Sequence, residues 1–199
     1  MVSTKSIVLG LALTLSATAL PAATTTSKSL TAAQLIAMAP ETASCSGAQF
    51  PAECADATRA APAIAKSFTK YGFNTPGEQA ALIAIMLFES GNFKFNKNHY
   101  PGRPGQGTRN MQMENFNLKY AADIKGSASS PVLDQLNDDE SSFGSAAWFL
   151  KTQCTPAIAK GLQDGSSKGW DAYLTQCVGT THTADRDVSW TKAKAQLGA

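Results

Sequence analysis

Histidine and cysteine are scarce. The 199-residue chain has two histidines, His99 and His182, far apart, and four cysteines without a C-x-x-C spacing, so no metal site is expected. After the N-terminal segment no hydrophobic run approaches the ~20 residues that a membrane-crossing helix needs, and no membrane partner is expected. No block of like charges occurs either, and with a formal net charge of +2 nothing marks the chain for nucleic acid. H-E-x-x-H and P-loop patterns are missing, as are internal repeats and long linkers. What is left is enough chain for one domain with a real core.

The segment MVSTKSIVLGLALTLSATALPAA has a lysine at position 5, an apolar stretch from Ile7 to Leu20 and small residues toward its end. That is the layout of a secretory signal peptide, assigned here to residues 1–22, with cleavage points at Ala19, Ala22 or Ala23. Residues 23–29 are polar and without periodicity and read as a disordered tail. Residues 30–199 read as one folded domain of a secreted, extracellular, monomeric protein. An even number of cysteines in an exported chain argues for two disulfides. Three pairings are open; the local ones, Cys45 with Cys54 and Cys154 with Cys177, are favoured.

The folded part reads as about seven capped helices joined by short polar turns, with one insert. TAAQLIAMA opens with a capping box, Thr31 and Gln34. CADATRAAPAIAKSFTKYG is helical to Tyr71 and stopped by Gly72, with Pro62 placed to split or kink it. TPGEQAALIAIMLFESG has Thr75 as N-cap, Pro76 in the first helical position and Glu78 completing the box, with Gly91 as its stop. At Asn92 the period changes. NFKFN alternates, predicting a short strand, and the glycine- and proline-rich YPGRPGQGT predicts a loop. Helical patterns return with RNMQMENFNLKYAADI and run on through WDAYLTQC to ADRDVSWTKAKAQLG. The expected class is mainly α, a helical bundle around a buried central helix with a small strand-and-loop insert.

That central helix poses the functional question. From Ala80 to Phe88 it has no polar residue, and it then ends on Glu89. Apolar residues all round mean that other helices surround it. Burial disfavours a charged carboxylate, and so does the negative end of the helix dipole. Glu89 is therefore expected to be held as the acid, as general-acid cleavage of a glycosidic bond requires. The plain alternative is a glutamate exposed in a fraying last turn.

ESGNF, followed about twenty residues later by TRNMQ, resembles a motif pair of the lysozyme-like superfamily. There, lytic transglycosylases and goose-type lysozymes carry Glu-Ser at the end of a buried helix and a Gly-Leu-Met-Gln-like segment after a loop. The resemblance covers about Gly77 to Tyr120. It implies an α+β lysozyme-like fold, Glu89 as catalytic acid, Ser90 beside it, and Met111 and Gln112 lining the cleft. Arg109-Asn110 stand where the family has Gly-Leu, and its late Ala-Tyr-Asn-Ala-Gly segment is not present as such. Tyr173 in WDAYLTQC is then the counterpart of that segment's tyrosine.

In the insert, Asn92 and Gln106 offer hydrogen bonds to a polysaccharide, although such residues also serve turns. Lys94, Arg103 and Arg109 suit an anionic glycan. Glu114, Asp123 and the run Asp138 to Glu140 are the other carboxylates, the run being better read as a helix N-terminal cap. The expectation is a secreted glycosidase cleaving β-1,4 bonds in amino-sugar polymers, peptidoglycan first and chitin-type second, through one glutamate and without a cofactor. The alternative is a glycan-binding or effector protein that keeps the fold without catalysis.

Overall fold

The computed structural model describes residues 1–2 and 29–199. The signal peptide and tail expected over residues 1–29 lie almost wholly outside the described residues. Among the described residues eight α-helices carry the chain, in the mainly α class that the periodicity predicts. They are α1 (Ala32–Met38), α2 (Ala57–Tyr71), α3 (Pro76–Glu89), α4 (Glu114–Lys125), α5 (Asp139–Thr152), α6 (Pro156–Leu162), α7 (Ser167–Ala172) and α8 (Ala184–Leu197). A π-helical segment, Tyr173–Val178, continues α7. None of these helices is long and apolar enough to cross a membrane.

Side chains set most of the helix ends. Thr31 and Gln34 close a capping box on α1, and Thr75 and Glu78 close another on α3, each satisfying two otherwise unpaired N–H groups. α2 stops where Gly72 takes a φ of 77°, and it runs past Pro62 as one helix. α3 is buried at every position from Ala80 to Leu87. Each of its large aliphatic side chains contributes ~1.5–3 kcal/mol by leaving water. α8 lies along α3, α5 touches it on another side, and α6 crosses near its start. At that crossing Gly77 has no room for a side chain, because a Cβ would run into the Leu162 carbonyl.

The insert departs from expectation twice. NFKFN forms no strand, because Gly91, Asn92 and Phe93 all take positive φ (56°, 55° and 65°) and coil the chain straight out of α3. Extended pairing there is limited, among the described residues, to isolated bridges of Lys97 with Gly107 and Gly107 with Gln112. The strand of an α+β domain is therefore not observed. The next helix begins at Glu114 and not at Arg109, since Thr108 and Met111 stand at φ 61° and 48°.

Both disulfides take the local pairing. Cys45–Cys54 closes the loop before α2, and Cys154–Cys177 ties the segment after α5 to the π-helical segment.

Candidate binding cleft

Glu89 and Ser90 end α3 side by side with opposite fates. Ser90 is fully buried, donating from its hydroxyl to the Met86 carbonyl (2.7 Å) and accepting from the Phe93 N–H (3.0 Å). Expected to line the site, it instead fastens the left-handed turn into the insert. Asn92, in that turn at positive φ, lies outside the cleft.

The Glu89 side chain is 21% exposed and meets Arg186 in the first turn of α8, whose Nη1 donates to Oε1 at 2.6 Å. Arg186 Nη2 donates to Thr180 Oγ1 at 3.0 Å, and the guanidinium lies 4.1 Å from the centroid of the Phe88 ring. The isolated acid expected from the apolar helix is thus one half of a charge-assisted pair. Sequence patterning missed this because the cation arrives from a distant helix. Among the described residues no donor bonds Oε2, the oxygen left for a ligand.

Two lobes meet at this carboxylate. The larger, about 460 Å³, reaches Gln112, Met113, Phe116, Phe149, Tyr173 and Thr180. The smaller, about 260 Å³, reaches Phe95, Lys97, His99 and Tyr100. Glu89, Gln106 and Met111 line both. Of the residues picked out in the sequence, the fold therefore brings Glu89, Gln106, Met111, Gln112 and Tyr173 together.

Their surroundings hold them still. The Gln112 amide nitrogen donates to Asn117 Oδ1 (2.7 Å), and its oxygen accepts from Asn110 Nδ2 (3.2 Å). Gln106 Nε2 donates to the Met111 carbonyl at 2.8 Å, leaving its Oε1 buried without a partner among the described residues. Tyr173 is 1% exposed, and burial, followed by the Glu89 charge, pushes its hydroxyl above the ordinary tyrosine range. It forms a neutral wall.

Arg109 is scaffold. At 1% exposure it donates to the carbonyls of Phe93 (2.9 Å), Phe95 (2.9 Å) and Glu53 (2.8 Å), tying the insert to the disulfide-closed loop. Burial pushes its guanidinium down to about 10, against the opposing charge of Asp139. Lys94 is spent likewise on the Glu41 and Ser44 carbonyls. Of the three cations expected to suit an anionic ligand, only Arg103 lines the larger lobe.

Arg186 and Thr180 are the site residues that sequence reasoning missed; Arg186 is 97 positions from Glu89 and belongs to no motif. Gly165 to Gly169 has the spelling G-x-S-x-G without its geometry. Its serine, Ser167, is the first residue of α7, and Ser166 before it is the N-cap, accepting from the Gly169 N–H at 3.2 Å. Among the described residues no group of three or more His, Cys, Asp or Glu side chains is arranged to hold a metal ion.

No family model matches the chain, and no solved structure matches it. In sequence it is similar to a bifunctional dioxygenase–epoxy alcohol synthase of Fusarium oxysporum, 42% identical over 141 residues that take in 63% of this chain. The matched region is 11% of that enzyme's length. The relative's name is that of an oxidative enzyme. It overturns the expectation of a glycosidase acting on peptidoglycan or chitin, and it gives no support to the glycan-binding or effector alternative. The lysozyme-like resemblance rests on the motif pair ESGNF and TRNMQ within about Gly77 to Tyr120.

Proposed function

We propose that the chain is an exported enzyme, or the substrate-holding part of one, whose cleft takes an elongated molecule with an apolar body and an alcohol or epoxide oxygen. The meeting of two lobes at the Glu89–Arg186 pair carries this proposal. An elongated ligand would cross that pair at its middle. Ile85, Met113, Phe116, Phe149 and Val178 give the larger lobe an apolar face for a hydrocarbon body, beside the polar groups of Arg103, Gln106, Asn110 and Gln112.

At the crossing point a guanidinium donor and an acceptor-only carboxylate stand together. A hydroxyl can accept from the first and donate to the second, and an epoxide oxygen can accept from the guanidinium. The relative's printed product class, an epoxy alcohol, carries both groups. Glu89 would also be placed to give or take a proton at that oxygen. The two disulfides favour an oxidising, extracellular setting.

Calorimetry with a long-chain epoxy alcohol and with its oxygen-free parent tests the proposal. The epoxy alcohol is expected to bind wild type and to lose about tenfold in Glu89→Gln, the loss of one charge-assisted hydrogen bond. Equal binding of the two compounds, or an unchanged Kd in Glu89→Gln, would refute it.

A further inference from the structure

His182 lies in the loop between the π-helical segment and α8, close in sequence to both Thr180 and Arg186. Its Nδ1 is 2.9 Å from Asp171 Oδ1 on α7, and its Nε2 is 2.7 Å from Asp187 Oδ1 in the first turn of α8. A carboxylate only accepts. A ring that satisfies two of them must carry a proton on each nitrogen.

Asp187 Oδ1 is held from the core side as well, by the indole N–H of buried Trp170 at 2.9 Å. Trp170 in turn stacks on Trp190, with centroids 5.6 Å apart. Asp171 and Asp187 are the charged groups that face the ring from α7 and α8. The segment Tyr173–Val178 contains no charged residue. The same loop carries Thr180, whose hydroxyl accepts from Arg186, and Arg186 holds Glu89.

We propose that His182 is a positioning residue for Glu89, a proton-dependent clamp that fixes the loop so that Thr180 orients Arg186 and Arg186 orients the carboxylate. This rests on the assignment of Glu89 to the ligand site and adds a regulation to it. Loss of one ring proton turns a nitrogen lone pair toward a carboxylate. One tie then becomes repulsive, and the loop is free on that side.

The hydrogen bonds to Asp171, and next those to Asp187, raise the histidine above its ordinary value of 6.5. With the folded value raised, the clamp is complete below about pH 6.5 and is lost as pH rises through the folded value. Glu89 is therefore best ordered on the acid side.

NMR on the ligand-free chain tests this, reading the His182 ring nitrogens, the Arg186 guanidinium and the Glu89 carboxyl carbon against pH. In wild type two ring N–H signals are expected at acid pH. The Arg186 and Glu89 signals should move with the same midpoint as the histidine. His182→Gln should abolish that movement, and Asp171→Asn should shift its midpoint downward. Arg186 and Glu89 signals that ignore the histidine's titration, or a movement that persists in His182→Gln, would overturn the clamp. Should His182→Gln fail to fold, an unshifted midpoint in Asp171→Asn would overturn it equally. Because no ligand is present, a cleft that binds nothing leaves this result standing, and failure of the clamp leaves the binding test intact.

Discussion

Arg186 Nη1 stands 2.6 Å from Glu89 Oε1, an ion pair across 97 residues of chain that joins the end of α3 to the start of α8. Its two side chains are 11% and 21% exposed, so neither is well hydrated if the other is removed. Arg186→Met is expected to destabilise the fold by about 1–3 kcal/mol, chiefly by leaving the carboxylate partly buried and unpaired. Adding Glu89→Gln should recover part of that loss, since the two effects share one contact. Urea denaturation of the single and double variants measures both.

Arg109 bonds three carbonyls from two separate segments, and the Glu53 carboxylate adds bonds from the Asn96 N–H and the His99 ring between the same insert and the Cys45–Cys54 loop. Arg109→Met keeps the apolar stem and strands the Phe95 and Glu53 carbonyls, while the Phe93 carbonyl keeps the Ala55 N–H at 3.0 Å. A loss of about 2 kcal/mol or more is expected, with each of the two carbonyls left unsatisfied contributing about 1–3 kcal/mol. Hydrogen exchange should accelerate at residues 93–108 and stay slow in the middle of α3. Uniform acceleration would show that the insert does not loosen as a unit.

The contrast between these two arginines shows how far the sequence could be read. Local chemistry was legible: the boxes at Thr31 and Thr75, the stop at Gly72 and the buried run of α3 follow from side chains near one another in the chain. The insert was not, because non-glycine residues at positive φ are held there by bonds from distant parts of the chain, such as that from Arg109 to the Phe93 carbonyl. NFKFN has the alternation of a strand, but its backbone is wound by the turn before it. Arg186 was invisible for a related reason, since a salt bridge between distant helices leaves no spacing to detect. Glu89 could be picked out, while its partner could not.

Asp138 caps α5, accepting from the Ser141 N–H at 2.9 Å, with Lys125 3.3 Å away. Burial alone would raise its carboxyl, but the bonds from Ser141 and then Lys125 outweigh it and hold the group below its ordinary 3.8. A depressed value contributes stability above the unfolded value that is lost as pH falls through the folded one. Asp138→Ala should therefore lose about 1 kcal/mol at neutral pH. The difference from wild type should shrink as pH falls below 3.8, in paired urea titrations.

Gly77 tests the packing that anchors the start of α3. Its missing side chain leaves room for the Leu162 carbonyl and the Gly165 N–H, and neither backbone group can rotate away as a side chain would. Gly77→Ala is expected to lower stability by about 1–3 kcal/mol despite alanine's better helix propensity. A gain in Tm would show that α6 moves aside freely.

Methyl NMR during titration with a long-chain epoxy alcohol tests the central claim most directly. Met111 lines both lobes and Met113 the larger one, whereas Met38 is buried in the main core beside α2. Saturable shifts of Met111 and Met113, with Met38 unmoved and the midpoint raised about tenfold in Glu89→Gln, are the predicted result. Shifts confined to methyl groups away from Glu89, or no saturable shift at all, would contradict it.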